Sequence, residues 1–156
     1  MSRTITDGQW RDFWAKVQAG AITQASFQAF LDSSGMPNLE GLSKTFEVDV
    51  NGRTVTCAWI PANYFVKDST NQEVIDEITS RHLRCPSRDV AVAAFDLKNF
   101  EMATNPSVAI DGVVQTDTYG LIVGCVYEDR SGRHVHRFDL RRMWYRYNRF
   151  LVVVSE

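Results

Sequence analysis

The residues best suited to chemistry fall together in the last part of the sequence, in the window Arg130–Arg149. Seven of the thirteen arginines lie in this window, and Asp139 is the one acidic residue among them. Arginine makes planar, bidentate contacts with phosphate or carboxylate and stacks on aromatic rings. Three aromatic residues are interleaved with these arginines, namely Trp144, Tyr145 and Tyr147. Basic side chains that follow a backbone, with aromatic platforms for the bases, are typical of proteins that bind single-stranded nucleic acid.

This pattern predicts a ligand-binding surface made of arginine and aromatic side chains. We expect nucleic acid or an acidic protein as its partner. The residues of this surface are Arg137, Arg141, Arg142, Trp144, Tyr145, Arg146 and Arg149. A structural interpretation of the same residues stands beside it. In that interpretation the aromatic rings lie in the core and the arginines pair with acidic neighbours, namely Glu128, Asp129 and Asp139.

Two histidines form a second candidate site. His134 and His136 are two residues apart on a predicted strand, so their side chains share one face. With an even-numbered turn before that strand, the same face carries Phe138 and lies opposite Cys125. A histidine opposite Cys125 would be placed to activate the thiol, and two histidines with one further ligand would hold a metal. The apolar ring of Phe138 indicates instead that this face points into the core.

From these patterns we predict a non-enzymatic binding module that needs no cofactor. The first alternative is a small enzyme or metal-binding protein that uses His134 and His136 with Cys125 or an acidic residue. Asp139 is a poor choice of acid, because on a regular strand it faces away from both histidines. The sequence has none of the motifs of phosphate-binding loops, nucleophile elbows or zinc proteases. The second alternative is a protein–protein interaction module that docks a partner through its N-terminal aromatic residues.

Length and composition set limits on the class of protein. The 156 residues suit one domain, or one domain with a small appendage, and the apolar fraction of 44% is enough for a core. A net charge of -2 excludes a grossly basic protein. The dispersed Cys57, Cys85 and Cys125 argue against a disulfide framework or a cysteine zinc site. Without a signal-peptide pattern or an apolar run of about 20 residues, we expect a cytoplasmic protein with no membrane partner.

Residues 1–36 are predicted to form an αα-hairpin. Thr6 and Gln9 have the spacing of a capping box, and Gly20 suits the left-handed end of a helix. The helical pattern starts again at Thr23. Apolar residues recur on one face of each helix: Trp10, Phe13, Trp14 and Val17 in the first, and Phe27, Phe30 and Leu31 in the second. These side chains form the docking surface of the second alternative.

Residues 42–156 are predicted to form an α+β domain. Asn51-Gly52 between two alternating runs is a strong hairpin signal. The predicted helix covers 73–82, and the predicted strands are Phe46–Val50, Arg53–Ile60, Val90–Phe95, an edge strand Val108–Ile110, Tyr119–Tyr127, His134–Leu140 and Phe150–Val154. The fold class is therefore α+β, with an N-terminal αα-hairpin, a mainly antiparallel sheet of about five to six strands and one additional helix. The segment Tyr119–Glu156 is expected to supply the central sheet.

The layout resembles that of small uncharacterised proteins of uncultured, candidate-phylum bacteria. Those proteins have a helical hairpin similar to the one around Ile22-Thr23 and Phe27, followed by a β-rich domain. They also have a segment similar to Ile78–Leu83 and a terminal apolar strand similar to Phe150–Val154. The resemblance implies a common layout, and no activity or site residues are known for these proteins.

Overall fold

The computed structural model describes residues 6–27, 29, 35–97, 106–118 and 120–156. The chain divides into two compact units, Met1–Met36 and Pro37–Glu156. Both units are built from elements whose ends carry identifiable capping or turn residues.

The first unit contains the helix α1, Asp7–Gln18. Its start is the predicted capping box, in which the Thr6 and Gln9 side chains each accept a hydrogen bond from the other residue's backbone N–H. Gly20 follows the helix with a φ of 71°. Residues 24–27 are helical. Phe30 and Leu31 lie outside the described residues, so the complete αα-hairpin stays a prediction.

The aromatic rings of the first unit contact one another. Phe13 is at the centre, with ring centroids 5.6 Å from Trp10, 5.7 Å from Trp14 and 5.5 Å from Phe27. No residue of α1 is buried, and Trp10 and Trp14 are about half exposed, at 50% and 46%. Four of the predicted apolar side chains therefore contact one another, and their role as a docking surface remains a hypothesis.

The second unit is α+β, with a mixed sheet of seven strands, a small sheet of two strands and two helices among its described residues. Its helices are α2, Asn71–Ser80, and α3, Arg88–Phe95. Its strands are β1 Phe46–Val50, β2 Arg53–Ile60, β3 Ser69–Thr70, β4 Ser107–Ile110, β5 Gln115–Asp117, β6 Gly120–Asp129, β7 Gly132–Asp139, β8 Met143–Trp144 and β9 Arg149–Ser155.

The large sheet runs in the order β1-β2-β9-β4-β6, and β3 pairs with β8 in the small one. Both β5 and β7 also pair with β6. Because β7 pairs with β6 along residues 122–129, both β4 and β5 lie on the other edge of β6. Among the described strands, β4 and β9 form the one parallel pair. The sheet is thus largely antiparallel, as predicted, although it is mixed.

Local turn signals place the two hairpins correctly. Asn51 and Gly52 have φ values of 51° and 77°, the left-handed conformations that a tight turn between β1 and β2 requires. In β1 the side chains of Val48 and Val50 are buried and those of Glu47 and Asp49 are exposed. The second hairpin, β6–β7, turns through two residues, since Asp129 pairs with Gly132.

Two predictions for the middle of the chain were wrong. Val90–Phe95 lies in the helix α3 rather than in a strand, and Ser87 caps that helix by accepting a hydrogen bond from the Val90 N–H. A short apolar run does not by itself distinguish a buried strand from a buried helix. Val108–Ile110 is a strand, but it lies between β9 and β6 rather than at an edge. Among its described residues, the second unit accordingly has two helices where one was predicted.

The two helices cover opposite faces of the sheet. We call one side the α3 face, where Val90 and Ala94 pack against Val126 and Leu151. The other side is the α2 face, where Val74 and Ile78 pack against strand residues that include Val108, Val123, Phe150 and Val152. The predicted helix over 73–82 is α2, and Thr70 caps it.

A polar network fixes the end of α2. Arg81 is paired through Nε with Oε1 of Glu77 at 2.7 Å, and its Nη2 donates to the hydroxyl of Tyr64. Nη1 of Arg81 donates to the carbonyl of Glu40 at 2.5 Å, and the guanidinium lies 5.1 Å from the Tyr64 ring centroid. The i, i+4 pair of Glu77 and Arg81 is therefore also the clamp that holds the segment around Glu40.

The first prediction concerns this clamp. Arg81→Met should lower the free energy of unfolding by about 2 kcal/mol, because it removes charge-assisted hydrogen bonds from partly buried partners. Chemical denaturation measures this change. The control is Arg84→Met, whose side chain is 58% exposed and should change stability by less than about 0.5 kcal/mol.

The same pair gives an expected pH dependence. Burial raises the pKa of Glu77, but hydrogen bonds from Arg81 and Tyr64 lower it by more, so the pKa lies below its usual value. A carboxyl with a lowered folded pKa contributes stability above its unfolded pKa, about 4.3, and loses it as the pH falls through the folded value. The stability gap between wild type and Arg81→Met should therefore narrow in acid, and a constant gap would contradict this.

Candidate functional site

Strand β7 sends the predicted site residues to two different faces of the sheet. The rings of His134, His136 and Phe138 lie on the α2 face, where they contact the Tyr127 ring at centroid distances of 4.7, 6.1 and 6.2 Å. Arg137 alternates with these residues and lies on the α3 face, where it donates to the side-chain oxygen of Gln115. The predicted sharing of one face by the two histidines and Phe138 is confirmed.

The rings of Tyr127, His134, His136 and Phe138 form an aromatic row on the α2 face. This row ends at an arginine. Trp144 contacts Tyr127 and Phe138, with centroids 5.6 and 5.8 Å away. The guanidinium of Arg142 lies 4.3 Å from the Phe138 ring centroid and 5.3 Å from that of Trp144. Arg142 remains exposed, so it caps the row from the solvent side and keeps its hydrogen-bond donors accessible.

Trp144 itself belongs to the core. It is 5% exposed, and its Nε1 donates to Oδ1 of Asn71 at 2.6 Å. Asn71 is fully buried at the start of α2, and its Nδ2 donates to the carbonyl of Asp139 at 2.9 Å. The Trp144 ring therefore supports the fold, as the structural interpretation of the sequence proposed for the aromatic residues.

Beyond Trp144 the chain makes a tight turn that is held by hydrogen bonds to residues outside the turn. The N–H of Asn148 donates to the carbonyl of Tyr145 at 3.0 Å. The N–H of Arg146 donates to Oδ1 of Asp68 at 2.9 Å, and the carbonyl of Arg146 accepts from the N–H of Asn63 at 2.8 Å. The N–H and the carbonyl of Arg146 are thus both fixed by the 63–68 segment, and the side chains of residues 145–147 lie in solvent.

Two tyrosines on this turn form an exposed pair. The rings of Tyr145 and Tyr147 are stacked with centroids 5.1 Å apart and planes 8° apart. The two residues are 60% and 43% exposed. We define the aromatic–arginine surface as Arg142, Met143, Tyr145, Arg146 and Tyr147, all of which are exposed. Within the described part of the chain, Arg142 and Arg146 make no ion pair with a carboxylate.

The remaining predicted arginines lie elsewhere. Arg141 is paired with Asp139 at 3.1 Å, and this pairing lowers the pKa of Asp139. Arg149 is on the α3 face, where its guanidinium lies 4.4 Å from the Trp59 ring centroid and its Nε donates to Ser107 Oγ at 2.7 Å. Burial lowers the pKa of Arg149. The structure thus brings together part of the predicted surface and gives Arg149 an interior contact.

The histidines and the cysteine do not assemble a recognisable catalytic arrangement. Ser131 Oγ lies 2.8 Å from Nε2 of His134, and Asp129 Oδ1 lies 3.4 Å from the same nitrogen. A hydrolase triad needs the acid and the serine on opposite ring nitrogens. His136 is opposite Cys125 in the ladder, as predicted, but burial raises the pKa of that thiol to about 12. A raised pKa is the reverse of nucleophile activation.

Metal binding has no support from the described residues. Across 6–27, 29, 35–97, 106–118 and 120–156, no three histidine, cysteine or acidic side chains are grouped closely enough to hold an ion. His134 and His136 instead stack on each other at a centroid distance of 6.4 Å. Their geometry is that of a packed aromatic row.

Sequence reasoning missed the residues that hold the turn and the core together. The contact of Asp68 with Arg146 joins positions 78 residues apart. Asn71 is a buried link between α2 and Trp144. No local pattern identifies such long-range partners.

Comparisons with known proteins provide no further assignment. Models of protein families, curated proteins and solved structures all gave no match to this chain. No described helix has the length and apolar character needed to cross a bilayer.

The second prediction separates core from surface aromatics. Trp144→Phe should destabilise the protein by about 1–3 kcal/mol, because it leaves the buried Oδ1 of Asn71 without its strongest donor. The matched control is Tyr147→Phe, which removes a hydroxyl from an exposed ring and should change stability by less than about 0.5 kcal/mol. Denaturant unfolding of both variants is the measurement, and equal losses would contradict the assignment.

Proposed function

We propose that this protein is a non-enzymatic module that binds single-stranded nucleic acid on the aromatic–arginine surface. The observation that carries the proposal is the stacked, exposed pair of Tyr145 and Tyr147 on a turn whose backbone is fixed. An unstacked base has an apolar face that an exposed aromatic ring covers without reading its sequence. Two parallel tyrosine rings can continue a stack of bases, because a base can lie against the exposed face of the pair.

The charges around the tyrosines suit a phosphate backbone. Arg142 precedes the two tyrosines in sequence, Arg146 lies between them, and Lys67 is exposed beside Asp68, which holds the turn. Arginine without a carboxylate partner is available for bidentate contacts with phosphate oxygens. The protein's net charge is only -2, so attraction of a polyanion depends on this local cluster.

Preorganisation also favours this surface. The hydrogen bonds to Asp68 and from Asn63 hold the turn before any ligand arrives. A ligand that meets rings already in place loses less free energy to ordering of the protein. Arg142 is likewise placed over the Phe138 ring, 4.3 Å from its centroid, by a cation–π contact.

The third prediction tests the arginines. Replacing Arg142 and Arg146 together by Gln should weaken binding of a labelled single-stranded oligonucleotide and reduce the log–log salt slope by about 1.4, since each phosphate contact contributes about 0.7. Fluorescence anisotropy at several salt concentrations measures both. The control removes the same charge from exposed arginines elsewhere in the unit, Arg53 and Arg130, and should leave the slope nearly unchanged.

The tyrosines should behave differently. Replacing Tyr145 and Tyr147 by Ala should weaken binding by about 1–3 kcal/mol per stacked base and leave the salt slope unchanged. Stability should change little, because both rings are exposed. If well-folded wild-type protein fails to bind the oligonucleotide at low salt, the proposal is wrong. Binding of poly-glutamate in place of the oligonucleotide would identify an acidic protein as the partner class instead.

A further inference from the structure

A separate cleft lies on the α3 face of the sheet, the side that Arg137 occupies. It has a volume of about 260 Å³ and opens between the start of α3 and the strands β6 and β7. Polar residues around it include Ser87, Arg88, Asp111 and Arg137, and Ala91 and Val135 are among its apolar residues. Drug-sized ligands occupy pockets of about 300–1,000 Å³. The cleft is therefore of a size for a smaller molecule.

Gly124 and Asp111 form a fixed polar corner of this cleft. Oδ1 of Asp111 accepts the N–H of Val113 at 2.9 Å and the N–H of Gly124 at 3.2 Å. A side chain at position 124 would overlap Oδ2 of Asp111, so glycine is what allows the carboxylate to lie against the strand. Oδ2 accepts no hydrogen bond from the described residues and remains available as an acceptor.

Two arginines supply positive charge to the same cleft. Arg88 forms no hydrogen bond or ion pair through its guanidinium with any residue that the structure describes. Arg137 uses Nη1 for Gln115, which is uncharged, and its Nε and Nη2 have no described acceptor. With Asp111 as the acidic residue of the lining, the cleft has an excess of positive charge. Pro86 and Ser87 also place the positive end of the α3 dipole at its rim.

We propose that this cleft binds a small organic anion. Arg88 and Arg137 would hold its carboxylate or phosphate group, because guanidinium groups match both oxyanions geometrically. Oδ2 of Asp111 would accept a hydrogen bond from a hydroxyl or amino group of the same molecule. The alanine and valine side chains of the lining would contact a short carbon skeleton. This site is on the opposite face of the sheet from the ring of Phe138 and does not depend on the proposed nucleic-acid binding.

Isothermal titration calorimetry with three probes tests the site: L-malate, succinate and phosphoserine. L-Malate and succinate both present carboxylates, but succinate lacks the hydroxyl that would meet Asp111. The wild-type protein should bind L-malate or phosphoserine saturably and should prefer L-malate to succinate. Whichever of L-malate and phosphoserine binds more tightly identifies the head group as carboxylate or phosphate.

Variants assign the residues. Arg88→Gln and Arg137→Gln should each weaken binding of the preferred probe by about tenfold or more, the loss expected for a charge-assisted hydrogen bond. Asp111→Asn should reduce the preference for L-malate over succinate, because a neutral hydrogen bond from the amide NH₂ replaces the stronger, charge-assisted bond to the carboxylate. The matched control is Arg130→Gln, an exposed arginine at the β6–β7 turn, and it should bind as the wild type does.

Two results would overturn the assignment. One is the absence of saturable binding of L-malate and phosphoserine by folded wild-type protein. The other is an equal loss of affinity in Arg130→Gln and Arg88→Gln, which would mean attraction by overall charge. Thermal melting without ligand shows that each variant is folded. Arg88→Gln keeps the test valid even if Arg137→Gln is unstable, because the Arg88 guanidinium makes no described contact that folding needs.

Discussion

The buried side chain of Asn71 is the link on which the path of the chain from β7 to β9 depends. Its Oδ1 accepts from Trp144, its Nδ2 donates to the Asp139 carbonyl, and its own N–H donates to the carbonyl of Arg142. One residue at the start of α2 therefore fixes the path of the chain from the end of β7 to β8. An amide that is fully buried is stable only when its donors and acceptors are paired, so this path is closely specified. The position of the exposed turn at residues 145–148 therefore also depends on Asn71.

Strand alternation, strand pairing and the Asn71 link together explain why the arginine-rich window does not form one surface. Strand alternation sends Arg137 to the α3 face, and pairing of β9 with β2 and β4 turns Arg149 inward over Trp59. The segment held by Asn71 keeps Arg142 and Arg146 in solvent. Residues that are neighbours in sequence are thus divided between an interior contact, a cleft and an exposed aromatic turn.

The sequence predicted what depends on local chemistry and missed what depends on distant partners. The Thr6 capping box, the Asn51-Gly52 hairpin and the shared face of His134 and His136 all follow from spacing within a few residues. The prediction of a strand at Val90–Phe95 was wrong, because over so short a run a buried helix and a buried strand have equally apolar sequences. The roles of Asn71, Trp144 and Asp68 follow from contacts across more than 50 residues, which no periodicity encodes.

The position of β9 in the sheet has a consequence for the order of folding. β2 and β4 have no contact with each other in the sheet until β9 lies between them, and β9 begins about 90 residues after β2 ends. A ribosome that adds about 5–20 residues per second needs on the order of ten seconds for that interval. During this time the edge of β2 that later pairs with β9 stays unpaired, as does that of β4 once β4 has been synthesised, and unpaired strand edges are the condition in which nascent chains aggregate or are bound by chaperones. Synthesis of β9 converts both edges into the centre of the sheet at once.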